Sequence, residues 1–184
     1  MPSSPHSHTL LSTFFEALER KNHPFFYSCD WRTLIQELCE RGGTDSLRIA
    51  FVTQWVTHGA VIRAQTQDDQ LLLRALRGWL PKYYGDEVIL YRGESTERAT
   101  SNQYGLCWTT KVEVASMFAS GLNAVRPAGG VLLRAFATRE AILTGPGTHS
   151  NYLGEAEHTV DPSMLSSIEI VERFQPSDRR PLNT

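Results

Sequence analysis

The hydrophobic pattern of this 184-residue chain changes its period near the middle, and this change limits the possible folds more than any other feature. Before residue 82, apolar residues recur at intervals of three and four, as they do on one face of an amphipathic helix. From residue 86 onward, apolar residues occur in short runs separated by turn-forming residues, as they do in β-strands. Helices first and strands later indicate an α+β fold rather than alternating βαβ units.

Four helices are predicted in the first half, and Asp30 is suited to cap the start of the second. Gly59 is a weak point inside the third, because glycine is a poor helix former. No reactive side chains cluster in these helices, so we interpret them as a packing layer. The predicted ranges are 9–21, 31–41, 44–61 and 68–80.

Five strands and one short helix are predicted in the second half. The helix covers residues 111–120, and Thr110 with Glu113 matches the capping-box pattern at its start. The predicted strands are 86–94, 106–109, 130–137, 155–160 and 168–174.

Composition indicates an ordinary globular protein and excludes several classes. The length predicts one domain over 9–174, with a helical part (9–82) and a β-rich part (86–174). A net charge of −2 gives no overall attraction to nucleic acid or anionic lipid, and no apolar run is long enough for a membrane span. Residues 1–8 lack the pattern of a secretory signal, so we expect a disordered lead there and a polar tail at 175–184.

The cysteines point to a reducing compartment. The three cysteines are odd in number and have no C-x-x-C spacing, which argues against a disulfide framework or a structural zinc site. A cytoplasmic protein that needs no metal is the simplest interpretation. The cysteines are Cys29, Cys39 and Cys107.

Arg92 ends an otherwise apolar row on the first predicted strand, where alternation places Val88, Leu90 and Arg92 on one face. A buried guanidinium needs an anionic partner, and its planar shape suits a carboxylate or a phosphate. The alternative is an arginine that extends from the strand end into solvent. Gly93 has no side chain and therefore lets another group approach the backbone.

Thr109 lies where the predicted strand 106–109 leads into the start of a helix. A helix N-terminus favours an anion or a polar ligand. The neighbouring Thr110 is sufficiently explained as the helix cap, whereas Thr109 has no such structural explanation.

Glu155 and Glu157 would lie on one face if residues 155–161 form a strand, with His158 facing the core. Two adjacent carboxylates repel each other, so the pKa of one should rise unless a cation or solvent relieves the repulsion. The alternative is a solvated polar face of an edge strand. We interpret His158 as a packed side chain rather than a catalytic base.

Taken in this order, the three features resemble the R-S-E class of ADP-ribosyltransferases, which transfer ADP-ribose from NAD. The resemblance covers about half of the chain, roughly residues 87–174, and it implies a split, mainly antiparallel β-sandwich on which the helical half packs. Cys107 and Trp108 depart from it, because they occupy the first two positions of what is commonly Ser-Thr-Ser. The matching segments are Tyr91-Arg92-Gly93, Gly105 to Ala119, and Glu155-Ala156-Glu157.

The resemblance also implies a role for individual residues. Glu157 would be the catalytic glutamate, and Glu155 would face the acceptor and favour arginine-type side chains. Thr109 would stand in the Ser-Thr-Ser motif and hold the nicotinamide pocket together, as a catalytic and NAD-binding residue. The remaining implied roles are binding of NAD by Arg92 and Gly93, lining of the nicotinamide pocket by Trp108 and Phe118, and contact with the acceptor by Tyr152.

The activity implied is NAD-dependent transfer of ADP-ribose to a protein side chain or a nucleic acid base, with NAD as co-substrate and no metal. Small size suits a toxin or an injected effector, held in check by an antitoxin or immunity protein. Two other functions stay open. One is an NAD glycohydrolase that uses water as the acceptor, and the other is a non-catalytic module that binds a nucleotide or a partner.

Overall fold

The computed structural model describes residues 30–41 and 45–177. The predicted helix at 9–21 and the predicted lead at 1–8 lie outside the described residues, as does most of the predicted tail at 175–184. The chain divides into two compact units, Met1–Leu80 and Pro81–Thr184. We call them the helical unit and the sheet unit, and describe each by itself.

Three described helices of the helical unit confirm the predictions for 31–41, 44–61 and 68–80. Asp30 caps the first helix, because its carboxylate accepts a hydrogen bond from the Thr33 N–H at 3.1 Å. None of the helices in the described ranges combines the length and apolarity needed to cross a membrane. The helices are α1 Trp31–Arg41, α2 Asp45–Thr66 and α3 Asp69–Trp79.

Helix α2 is longer than predicted and is kinked at the position the sequence indicated. His58 has non-helical dihedral angles (φ −133°, ψ 17°) immediately before Gly59. Helix α3 begins after Asp68, whose side chain accepts the Leu71 N–H at 2.9 Å. Its tryptophan, Trp79, donates to the Leu38 carbonyl at 2.9 Å, which ties α3 to α1.

In the sheet unit, the described residues form six antiparallel strands in the order β4-β5-β2-β1-β3-β6, which confirms the α+β class. Strands β1 and β2 share a single paired row, Tyr91 opposite Thr109, so the sheet is weakly joined there. The strands are β1 Val88–Ser95, β2 Cys107–Thr109, β3 Gly130–Ala137, β4 Ile142–Thr144, β5 Glu157–Val160 and β6 Ser166–Phe174. The helices are α4 Thr96–Thr100, α5 Val112–Ser120 and α6 Thr148–Tyr152, with 3₁₀ turns at Arg139–Ala141 and Pro162–Met164.

The two faces of the sheet are covered differently. One face carries the main hydrophobic core, which includes Leu90, Trp108 and Leu133. On the other face, Ala115 and Ala119 of α5 pack against β3 residue Leu132.

Gly93 is where α5 meets β1. A Cβ at this position would overlap the backbone of Ala115 and Ala119. The group that approaches the Gly93 backbone is therefore α5, and the missing side chain serves helix–sheet packing.

The capping box predicted at Thr110 and Glu113 is wrong. Helix α5 begins after Lys111, which makes no side-chain cap bond. The nearby hydroxyl that accepts a backbone N–H belongs to Thr109 instead, which accepts from Lys111 at 3.0 Å.

Candidate functional site

The sheet brings the three motif segments onto neighbouring strands. Tyr91 of β1 lies opposite Thr109 of β2, and Thr109 lies opposite Glu157 of β5. Directly opposed residues of antiparallel strands project their side chains to the same face. Thr109 and Glu157 therefore project to the same face of the sheet. Arg92 follows Tyr91 on β1 and Trp108 precedes Thr109 on β2, so alternation directs both of their side chains toward the opposite face.

Thr109 links β2 to the segment that precedes β5. Its buried hydroxyl donates a hydrogen bond to the Glu155 carbonyl at 2.5 Å. The same oxygen accepts the Lys111 N–H, so one side chain joins the glutamate segment to the start of α5. This gives Thr109 the structural role that the sequence did not reveal.

Glu155 and Glu157 do not belong to one regular strand, so the predicted strand over 155–160 is wrong at its start. Strand β5 begins at Glu157, and Ala156 adopts a left-handed conformation with φ 49°. This turn breaks the alternation that would place both carboxylates on one face. Both glutamates are half-buried.

Ser150 of α6 accepts two hydrogen bonds from the backbone of the segment that contains both glutamates. Its hydroxyl accepts the Glu157 N–H at 2.6 Å, and its carbonyl accepts the Glu155 N–H at 2.9 Å. Nothing in the sequence singled out Ser150, because only the tertiary structure brings α6 to the start of β5.

Arg92 has an anionic partner within its own strand. Its Nε donates to Glu94 at 2.9 Å, and its Nη1 donates to the Cys107 carbonyl at 2.6 Å. The Glu94 side chain is only 3% exposed and that of Arg92 is 21% exposed, so this is a largely buried ion pair. Glu94 was not singled out from the sequence, although alternation along β1 places it on the same face as Arg92.

The loop before β2 is shaped around this guanidinium. A Cβ on Gly105 would overlap the Arg92 Nη2 and Cζ atoms. The Gly105 N–H also donates to Glu94 at 3.2 Å. Arg92 and Glu94 therefore join the end of β1 to the loop and to β2.

The aromatic residues expected near a nicotinamide ring occupy different environments. Trp108 is 1% exposed, donates from Nε1 to the Gly105 carbonyl at 2.9 Å and packs edge-on to Tyr104, so it is a core residue. Phe118 is half-buried on α5. Tyr152, expected at the acceptor side, is 86% exposed on α6, two residues from Ser150.

His158 is packed, as predicted. It is buried, its ring lies edge-on to Tyr83 with centroids 5.8 Å apart, and its Nδ1–H donates to the Ala156 carbonyl at 3.0 Å. Burial lowers the pKa of His158 below its ordinary value, which favours the neutral imidazole.

Comparison with known proteins finds no match to this chain, whether among protein-family models, curated proteins or solved structures. Within residues 30–41 and 45–177, no three His, Cys, Asp or Glu side chains are grouped so that they could hold a metal ion.

Proposed function

We propose that this protein is an NAD-dependent ADP-ribosyltransferase that moves ADP-ribose from NAD to a macromolecular acceptor. The observation that carries the proposal is the row Tyr91–Thr109–Glu157, which brings three segments distant in sequence onto adjacent strands. The hydrogen bond from Thr109 to the Glu155 carbonyl then fixes the glutamate segment beside β2. The finer fold that we propose is a split sheet of the ADP-ribosyltransferase kind, divided where β1 and β2 share a single row.

Glu157 would supply the main catalytic effect. Departure of nicotinamide develops positive, oxocarbenium-like charge on the ribose, as in glycoside cleavage. A fixed carboxylate beside that carbon stabilises the transition state more than the ground state, in which the charge still lies on the pyridinium ring. The backbone of Glu157 is held by Ser150 and by pairing with β2, so its position is set before substrate binds.

Arg92 starts on the face of the sheet opposite Glu157, so it would bind NAD away from the reacting ribose, with the part of its guanidinium that the fold leaves available. Nε and one N–H of Nη1 are used by Glu94 and Cys107. Nη2, for which the described residues supply no hydrogen-bond partner, would donate to a phosphate or ribose oxygen. Gly93 and Trp108 are left out of the proposed NAD site, because α5 and the core occupy their surroundings.

Glu155 would orient the acceptor. A carboxylate can bind a guanidinium through two hydrogen bonds and accept its proton, which favours an arginine-type side chain. The exposed Tyr152 ring offers a contact surface to the same acceptor, whether protein or nucleic acid base. An enzyme of this kind acting in the cytosol would be a toxin or effector that needs an inhibitory partner where it is made.

The proposal is tested by incubating the protein and a cell extract with NAD labelled in its adenylate half. Free nicotinamide is measured, and the label is then treated separately with protease and nuclease. We expect nicotinamide release together with label that one of the two treatments removes. Release without transferred label would instead show a glycohydrolase, and saturable binding without release would show a binding module.

Glu157→Gln is the decisive variant. We expect a loss of roughly a hundred- to thousandfold in the rate of nicotinamide release, because the amide carries no charge to stabilise the ribose cation. Glu172→Gln, on the exposed strand β6, is the matched control and should keep the wild-type rate. A Glu157→Gln protein that retains most of its activity would overturn the assignment.

A further inference from the structure

We infer that Ser150 is a positioning residue that sets the geometry of both glutamates, an inference that rests on the proposed function for its catalytic consequence. Ser150 is 6% exposed and lies in α6, a five-residue helix before the glutamate segment. Its carbonyl and its hydroxyl each accept a backbone N–H, from Glu155 at 2.9 Å and from Glu157 at 2.6 Å.

The direction of the Ser150 hydroxyl bond is what distinguishes it. In the described helices, five other hydroxyls donate to a carbonyl four residues earlier in their own helix, and the Thr96 hydroxyl donates to the Gly129 carbonyl. The Ser150 oxygen instead accepts a hydrogen bond from outside its helix, at the first residue of β5. Serine hydroxyls in helices commonly form hydrogen bonds within their own helix. The Ser150 hydroxyl instead links α6 to β5. The hydroxyls that bond within their helix are those of Thr53, Thr57, Thr66, Thr100 and Ser120.

The segment that Ser150 holds is not in a relaxed conformation. Ala156, between the two glutamates, has φ 49°, a region that residues with a Cβ adopt only when surrounding contacts impose it. The two bonds from Ser150 flank this residue, and the bond from Thr109 to the Glu155 carbonyl completes the restraint. Without the Ser150 hydroxyl, the hydrogen bond from the Glu157 N–H to Ser150 is lost, and the turn loses one of its flanking restraints.

The expected consequence is a loss in turnover rather than in NAD affinity. Ser150 contacts the backbone of the glutamates and contributes no group of its own to the nucleotide. A small displacement of a catalytic carboxylate lowers the rate steeply, since stabilisation of developing charge depends on position.

The test compares Ser150→Ala with Ser150→Thr, which keeps the hydroxyl. For Ser150→Ala we expect kcat for nicotinamide release to fall by about tenfold or more, with KM for NAD within about twofold of the wild-type value. Ser150→Thr should recover most of the rate. Thr96→Val is the matched control, because it removes a hydroxyl bond to the Gly129 carbonyl at the far end of β1.

Hydrogen exchange at the Glu155 and Glu157 amides gives a second readout that does not depend on activity. Both amides should exchange faster in Ser150→Ala, while amides of β3 keep their protection. If Ser150→Ala does not fold, Ser150→Cys replaces it, because sulfur is a weak acceptor of similar size.

The outcomes separate this inference from the proposed function. If the wild-type protein releases no nicotinamide, the proposed function is contradicted. The role of Ser150 is then tested only by hydrogen exchange at the Glu155 and Glu157 amides. Unchanged exchange at both amides overturns the inference whatever the activity. Wild-type kcat in Ser150→Ala also overturns it, and so does a rate loss matched by Thr96→Val.

Discussion

Three side chains of the sheet unit hold the backbone of three consecutive residues. Thr109 donates to the Glu155 carbonyl, His158 donates to the Ala156 carbonyl, and the Ser150 hydroxyl accepts the Glu157 N–H. Each such bond contributes about 0.5–1.5 kcal/mol net, and a left-handed alanine costs about 1–2 kcal/mol. The local bonds are therefore sufficient to keep Ala156 in its unusual conformation.

His158 makes the stability of this segment depend on pH. Burial lowers its pKa in the folded protein, so near pH 6.5 the unfolded chain binds more protons than the native one. The contribution of the neutral imidazole to the free energy of unfolding is therefore fully present above that pH. It decreases as the pH falls toward the lowered pKa, by at most about 1.4 kcal/mol per pH unit. His158→Asn keeps an N–H donor at the position of Nδ1 for the Ala156 carbonyl but cannot titrate.

The measurement is urea unfolding of both proteins between about pH 5 and pH 7.5. We expect the free energy of unfolding to decline less steeply on acidification for His158→Asn than for the wild type. If the free energy of unfolding depends on pH equally in both proteins, the pKa of His158 does not differ between the folded and unfolded states.

At the scale of elements, the end of β1 is joined to β2 and the loop before it by hydrogen bonds from an ion pair within β1, rather than by an extended ladder of backbone bonds. Arg92 reaches the Cys107 carbonyl, and Glu94 accepts from Arg92 and from the Gly105 N–H. The two strands share only one paired row, so these polar contacts supply much of the connection. The guanidinium that the resemblance assigns to NAD is thus also part of the sheet.

Glu94→Ala should therefore be strongly destabilising. It leaves the largely buried Arg92 without its carboxylate, and breaking a buried pair costs about 3 kcal/mol or more. Glu169→Ala is the matched control, because it breaks the ion pair with Arg134, whose side chains are 55% and 45% exposed, and should cost less than about 1 kcal/mol. Equal changes in the free energy of unfolding, measured in urea, would contradict the structural role of Glu94.

At the scale of the whole molecule, the order β4-β5-β2-β1-β3-β6 places β5 between β4 and β2, although β5 follows β2 by almost fifty residues. Non-local pairing of this kind has to form before Thr109 and Glu157 can meet. A ligand that binds across these strands would therefore bind the native state and not the unfolded chain.

NAD should consequently stabilise the protein against heat. The Glu157→Gln variant is used because it should not consume NAD. At a hundred times its Kd, NAD would add about 2.7 kcal/mol to the free energy of unfolding of this variant. Nicotinamide alone at the same concentration serves as the control and should have a smaller effect. Thermal unfolding that does not change at any NAD concentration would contradict the proposed nucleotide site.

The residues that could be predicted are those whose environment follows from their neighbours in sequence. Helix α1, its cap Asp30 and the whole of β3 lie where the pattern placed them, and His158 is packed as expected. The residues that could not be predicted are those whose partners come from distant segments. Thr109 bonds Glu155 across the sheet, and the role of Ser150 depends on α6 lying beside β5.

The sequence by itself determined the class of the fold and the place of most described elements, because hydrophobic period is a local property that burial imposes on each helix or strand. Tertiary structure alone decided that Arg92 donates to the Cys107 carbonyl, that Trp108 belongs to the core, and that Ala156 turns away from the strand conformation. These outcomes depend on which strands become neighbours. That choice is made by the sum of many contacts between distant segments, and no single stretch of sequence contains it.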